Sequence, residues 1–301
     1  MLPLCGDRLP HLPNWQGDPP SDWTPSRVRP ILTRMNDNIA NLGLLDDDEI
    51  ELDHAALALS ELDHEGIDLD PYLALIEEIG DRLEIVGALA ETAEEQGEAL
   101  AQVFAREFGF TGDAASYDAP LNADLIRVLD RRRGLPVSLS ILYVAAARNL
   151  GWTAYALNTP GHVLVRLGDE QAVLIDPFNG GGQVSEQQLA TLLYGALGPD
   201  AILNEDHVAP LDNRSVLVRL LRNQASRAEQ AGDAPRALVL HERMTMVAPD
   251  NPDGWWELAR LQAQAREIEA ARHSLSAMLE VTRDPRRRQM VTAALDALAT
   301  G

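Results

Sequence analysis

The feature that most constrains this chain is a self-similarity at a fixed offset in its last third. Ala237 and Ala271 lie 34 residues apart, and at the same offset Leu221 meets Trp255, Ala225 meets Ala259, and Met244 meets Met278. Small residues recur where two helices must approach closely, and large ones where each helix packs on its neighbour. A repeat of this length is a helical pair that cannot bury its apolar face alone, so this part must be a stack of helices. Gly232 falls in the turn of the first unit, and Ala248-Pro249-Asp250-Asn251-Pro252 at the junction between units. The second unit carries Arg266 and Arg283 where the first has glycine and proline. A final helix from Pro285 to Ala299 is expected to cap the stack.

Upstream, the pattern divides again. Residues 1–48 are rich in proline, aspartate and tryptophan and read as an irregular arm, with one helix within 25–41. From 52 to 108 the period is helical, carried by Leu73, Ile76 and Ile79 and by Leu100, Val103 and Phe104. Phe108-Gly-Phe-Thr-Gly-Asp113 breaks it. Asn122 or Asp124 offers a cap for a helix through Leu125, Val128 and Leu129, which Gly134-Leu-Pro136 stops. Ser138 is expected to cap the next helix, running to about Leu150. Beyond Gly151, three short β-branched runs at 153–157, 163–167 and 172–175 are separated by turn signals. They predict an antiparallel meander packed on the preceding helix, closed by Asp176-Pro-Phe-Asn-Gly-Gly-Gly182 and followed by a helix over 185–197. Helices followed by a meander make the central part α+β. The expected division is an arm over 1–48, an α+β domain over 49–212 and a helical array over 213–301.

Composition excludes several function classes. At 301 residues, 46% hydrophobic and 24% charged, the chain has material for two real cores. Its net charge of -22 repels phosphate backbones and anionic lipid alike, so neither nucleic acid nor a membrane is an expected partner. No run approaches the roughly 20 apolar residues that span a bilayer. Residues 1–20 lack the basic and apolar regions of a signal peptide. Cys5 is the single cysteine, which rules out an internal disulfide and, with the rest, points to the cytoplasm. Every basic side chain is arginine. A phosphate-loop lysine or a lysine Schiff base from this chain is therefore excluded. The seven histidines show no metal-ligand spacing, and no cofactor motif is present.

One constellation could carry chemistry. A helix opens with Gly134-Leu-Pro-Val-Ser-Leu-Ser140, a strand with Gly161-His162, and another closes with Asp176. Thiol acyl-transferases use this layout: a helix N-terminus stabilises the nucleophile's anion, a histidine takes its proton and an aspartate orients the imidazole. Each residue also has a plainer reading, with Ser138 as a cap, His162 as a structural ring and Asp176 as a turn former.

The runs Phe108-Gly-Phe-Thr-Gly112, Asn122, Val128-Leu-Asp-Arg-Arg-Arg-Gly-Leu-Pro-Val-Ser-Leu-Ser-Ile-Leu-Tyr143, Pro160-Gly-His-Val-Leu-Val-Arg166 and Ile175-Asp-Pro-Phe-Asn-Gly-Gly181 resemble the SirB-type transglutaminase-like family. The resemblance extends from about residue 50 to residue 279. It implies a transglutaminase-like, papain-like core followed by tetratricopeptide-type repeats. Asp113 departs from the family's usual asparagine and Val163 from a common aromatic. The wider superfamily uses cysteine, histidine and aspartate. His162 and Asp176 match the last two, but counting back from Arg148 and Gly151 puts the thiol position on Pro136. Ser138 reaches that slot only if the alignment is shifted. The SirB-type family also generally lacks the cysteine. The expectation is a binding or regulatory protein whose repeats take a protein or peptide. The alternative is an acyl-transfer enzyme (amidase, protease or transglutaminase-like) using Ser138, His162 and Asp176, and a weaker third reading is a cleft that keeps a ligand without chemistry.

Overall fold

The architecture is that of a computed structural model describing residue 39 and residues 41–299. Cys5, His11 and most of the helix expected within 25–41 lie outside the described residues. The N-terminal helices are α1 (Leu52–Glu61), α2 (Asp70–Val86) and α3 (Ala93–Ala101). Thr92 and Glu95 box the start of α3 by exchanging side-chain and backbone hydrogen bonds. A π-helical turn, Gln102–Glu107, continues α3 and buries Val103 and Phe104. Next come β1 (Thr111–Gly112), α4 (Leu125–Arg131), β2 (Arg133–Gly134) and α5 (Pro136–Asn149). Of the two cap candidates for α4, Asp124 serves, accepting from the Arg127 N–H at 3.3 Å. Phe108–Asp113, expected to be only a breaker, contains β1, which pairs in parallel with β2.

The start of α5 differs from expectation. Pro136 is its first residue and Leu135 its N-cap, with no side-chain cap bond, so Ser138 lies inside the first turn. Proline suits that place because its missing N–H would have no intrahelical partner.

The expected meander is present as β3 (Ala154–Ala156), β4 (Val165–Leu167) and β5 (Val173–Asp176). Two details are corrected. The β4 strand opens at Val165, leaving His162 in the turn before it. The sheet does not end at Asp176, because the glycine run folds back as β6 (Gly182–Gln183), pairing Gly182 with Asp176. Sheet order is β3-β4-β5-β6, antiparallel throughout. Helix α6 (Glu186–Leu197) follows, capped by Ser185.

The helical array comprises α7 (Asn213–Ala231), α8 (Ala234–Val247), α9 (Pro252–Gln264), α10 (Ile268–Val281) and α11 (Pro285–Ala299). It is not a loose appendage. One buried apolar cluster runs from Leu57, Leu100 and Leu142 through Val216, Leu217, Leu220 and Leu221 of α7 to Leu240 and Met244 of α8. At the seam, the Asp47 carboxylate accepts the N–H groups of Asn213 and Arg214, both at 2.9 Å, and so caps α7. Buried Asn213 donates to the Asp47 and Ile50 carbonyls, and its own oxygen receives Arg148 at 2.6 Å. Asp63, just past α1, takes both Arg236 and Arg243 of α8 through paired bonds.

The degenerate second unit keeps its turn. Gly232 ends α7 with φ 73°, and Arg266, at the matching place after α9, holds φ 62°. An L-residue in that region costs roughly 1–2 kcal/mol, where glycine is free of the penalty. Arg266→Gly should therefore raise stability by about 1 kcal/mol, less some gain in unfolded-chain entropy, seen as a higher denaturant midpoint at unchanged slope. Arg132→Gly, also at positive φ, should not stabilise. The Arg132 guanidinium donates to the Leu129 carbonyl and lies 5.0 Å over the Phe110 ring.

Asp63 supplies a pH test. Burial works against its charge, but the hydrogen bonds and charges of Arg236 and Arg243 prevail and lower its pKa to about 2. A depressed carboxylate contributes stability above its unfolded pKa and loses it as pH falls through the folded one. Acid titration from about pH 4 to pH 2 should remove up to ~2 kcal/mol from wild type. Asp63→Asn should abolish that segment of the profile while costing ~2–4 kcal/mol at neutral pH, because Arg243 stays buried without its partner.

Candidate active site

The site is assembled around the N-terminal half of α5. His162 Nε2 lies 2.9 Å from Asp176 Oδ1, with the histidine side chain 15% exposed and that of the aspartate 7%. The backbone supplies this closeness: β4 and β5 pair Val165 with Ile175, so the turn before β4 lies beside the end of β5. Asp176 is also a local organiser. It accepts the N–H groups of Phe178 at 3.0 Å and Asn179 at 3.3 Å, and the Asn179 amide donates to its other oxygen at 2.6 Å. Burial opposes its ionisation, but the hydrogen bonds from His162 and Asn179 and attraction to the His162 ring outweigh burial and hold the carboxyl below its ordinary value. That contribution is present above the unfolded value and lost in acid.

Two aromatic rings wall the pair. Phe178 meets the His162 ring edge-on at 5.5 Å, and Tyr117 meets Phe178 edge-on at 5.7 Å. Gly112 gives Phe178 its place, since a Cβ there would sit 2.4 Å from the ring. That contact accounts for the second glycine of Phe108-Gly-Phe-Thr-Gly112. On the other side, Asp176 and Asn179 open on a cleft of about 480 Å³ shared with Gln183, Gln187, Gln188 and Thr191.

Ser138 does not join the pair's hydrogen bonds. Its hydroxyl is fully buried and reaches the carbonyls of Asn122 at 2.8 Å and Leu135 at 3.0 Å. Helical geometry explains the direction. Ser138 is two residues from Pro136 and points about 200° around the axis from it, whereas Ser140 and Tyr143, at i+4 and i+7, share the face of Pro136. That face meets the pair's surroundings: Ser140 donates to the Val163 carbonyl at 3.5 Å, and Tyr143 packs beneath Gly181. Ser140 and Tyr143 are the residues sequence reasoning missed. Counting four and seven onward from Pro136 would have found them.

The loop that Ser138 holds is itself fixed. Asp113 pairs with Arg131 at 2.5 Å, Arg131 donates to Asn122, and Asn122 donates to the Ser116 carbonyl at 2.6 Å. The hydrogen bond from Arg131 lowers the Asp113 pKa against the penalty of burial. An ionised aspartate in place of the family's asparagine thus gains a charge partner. No group of three or more histidine, cysteine or acidic side chains able to hold a metal occurs among the described residues. No helix among them is long and apolar enough to cross a membrane.

A buried helix packed on an antiparallel meander, with a histidine–aspartate pair at the meander's edge, is the arrangement of a transglutaminase-like domain. The Transglutaminase-like superfamily model matches residues 70–222, just over half of the chain, and a Tetratricopeptide repeat model matches 228–295. The chain belongs to the transglutaminase-like superfamily, with tetratricopeptide-type repeats after the core. It is 27% identical over 245 residues to a UPF0162 protein of Xylella fastidiosa, covering 80% of this chain and 87% of that protein. It is 26% identical over 228 residues to protein SirB1 of Salmonella typhimurium, covering 73% and 84%. The solved structure of menin aligns over 83% of this chain and 70% of that one at 13% identity, with a TM-score of 0.37, too distant to argue from.

The glycine run after Asp176 is a sharp test of the packing. Gly181 has φ 76°, and a Cβ there would lie 3.0 Å from the Tyr143 ring and hydroxyl and 3.1 Å from the Ala101 Cα. Gly181→Ala should cost ~2–4 kcal/mol through left-handed strain and overpacking. Gly182→Ala, which meets open space, should cost under about 1 kcal/mol in the same denaturant titration.

Proposed function

We propose that this protein is a binding or regulatory protein, in which a transglutaminase-like domain without a thiol is joined to a repeat array that takes a protein or peptide. The observation that carries this reading is the residue heading the α5 face turned toward His162 and Asp176. It is Pro136, which has neither a nucleophilic atom nor a backbone proton. The pair keeps its hydrogen bond and its aromatic wall, but nothing at the head of the helix can be activated by it. Repeat arrays of this type present extended surfaces to partners.

The competing reading, acyl transfer through Ser138, His162 and Asp176, requires the Ser138 hydroxyl to leave two carbonyls and turn around the helix. A serine is also a far weaker nucleophile than a thiol near neutral pH. Labelling in a Cys5→Ser background separates the readings. Serine-directed fluorophosphonate should give no adduct above background, with or without His162→Ala. Pro136→Cys should react with iodoacetamide at pH 6 about tenfold faster than Ser138→Cys, because only the former places a thiol before the histidine. Fluorophosphonate labelling of Ser138 that disappears in His162→Ala would establish the serine acyl-transferase instead.

A further inference from the structure

The loops that lead to Tyr117 and His162 are held by side chains of α7 in addition to the domain's own bonds, such as those from Asn122 to the Ser116 and Tyr117 carbonyls. Arg219 of α7 donates to the Asn158 side chain at 3.1 Å and to the Thr159 carbonyl, in the turn leading to His162. Two turns on, Arg227 donates to the carbonyls of Asp118 at 2.9 Å and Tyr117 at 3.3 Å, with its guanidinium 5.9 Å over the Tyr117 ring. Between them, Gln224 donates to the Ala123 carbonyl at 2.9 Å. The two held loops meet each other, since the Tyr117 hydroxyl donates to the Gly161 carbonyl at 3.4 Å.

The carbonyl bonds matter more than the visible ion pair. Asp118 is 90% exposed at its side chain, so its contact with Arg227 at 3.3 Å contributes little. The Arg227 side chain is only 12% exposed and commits its charge to backbone oxygens, where charge-assisted bonds are stronger than neutral ones. From there the contacts run through Tyr117 and Phe178 to the His162 ring, which keeps only a small opening to solvent.

We propose that α7 is the gate of the His162–Asp176 site, with Arg219 and Arg227 as positioning residues that hold its loops closed, so that the seating of the repeat array sets access to His162. The inference does not depend on whether the site is catalytic. A partner that shifts α7 on the repeat side withdraws both guanidinium groups from the loops, and the histidine becomes accessible.

The test is the rate at which diethyl pyrocarbonate modifies His162 in the full chain, read by peptide mass spectrometry, with His207 in the 205–208 turn as internal reference. Arg227→Ala and Arg219→Ala should each raise the His162 rate about fivefold, the factor that losing roughly one hydrogen bond's worth of local stability gives. The His207 rate should not change. Arg227→Lys, which keeps a donor for the two carbonyls, should restore at least half of the protection on a logarithmic scale. Asp63→Asn is the control for general loosening, since it breaks the clasp between α1 and α8 without touching either loop. It should leave the His162 rate within about twofold of wild type although it lowers the denaturant midpoint more. An unchanged rate in both arginine-to-alanine variants, no rescue by lysine, or an equal rise in Asp63→Asn would overturn the gate.

Discussion

Burial of α5 on every side is the constraint from which the rest of the structure follows. Its residues from Pro136 to Ala147 are all buried, as befits a helix apolar around its whole circumference. Such a helix cannot leave its polar groups to solvent, and its polar side chains other than the Tyr143 hydroxyl find partners inside the fold. Ser138 finds the Asn122 loop, Ser140 the Val163 carbonyl, and Arg148 the Ala154 carbonyl and Asn213. The contacts of these three residues fasten, in turn, the loop before α4, the turn that carries His162, and both β3 and the start of the repeats. The polar residues of one buried helix thus set the relative places of the loop, the meander and the array.

This constraint also decides what the serines mean. At a helix N-terminus exposed in a cleft, a serine could be poised for attack. Ser138 instead stands in a close-packed interior, where breaking its bond to Asn122 would leave that buried carbonyl with the Leu135 N–H alone. A strand of evidence for the same point is Gly134, where a Cβ would fall 2.6 Å from the Ser138 oxygen. The glycine before the helix is there to let the serine turn inward. The motif Gly134-Leu-Pro-Val-Ser138 thus packs its serine inward against the Asn122 loop.

Much of this was legible because it was periodic. The meander could be read from alternation between turn signals, and the array from an offset that brings Ala237 onto Ala271. What escaped were features set by tertiary neighbours. The two-residue strands β1 and β2 have no period to detect; they exist because Gly112 must lie against Phe178 and its backbone then finds Arg133 and Gly134. The β6 strand is hidden in a glycine run that reads as a simple turn. Of the site, the nearness of His162 and Asp176 followed from the strand order, but the direction of Ser138 did not. A capping serine and a buried serine one turn in look alike until the first helical residue is known, and here Pro136 rather than Ser138 marks the start. The Arg219 and Arg227 contacts could not be read at all, because they join residues 60 and 109 positions apart.

Those two arginines expose a tension between repeat and core as units. In sequence, α7 opens the array, since Leu221 and Ala225 begin the 34-residue correspondence. In packing it also closes the transglutaminase-like domain: Val216, Leu217 and Leu220 share the core cluster of α1, α3 and α5. The two family matches meet within this helix, one ending at 222 and the other beginning at 228. A helix apolar enough to serve both sides cannot respond to one without the other, because close-packed interfaces shift between discrete seatings rather than deform gradually. The polar bonds then divide by purpose. Those at Asp47, Asn213 and Arg148 centre on buried Asn213 and fix the start of α7 as a pivot. Those at Arg219 and Arg227 lie further along the helix, where the same small rotation produces a larger displacement. The pivot stands against α5 and the far contacts against the site's loops, which is the arrangement in which a modest motion of the array is felt most at His162.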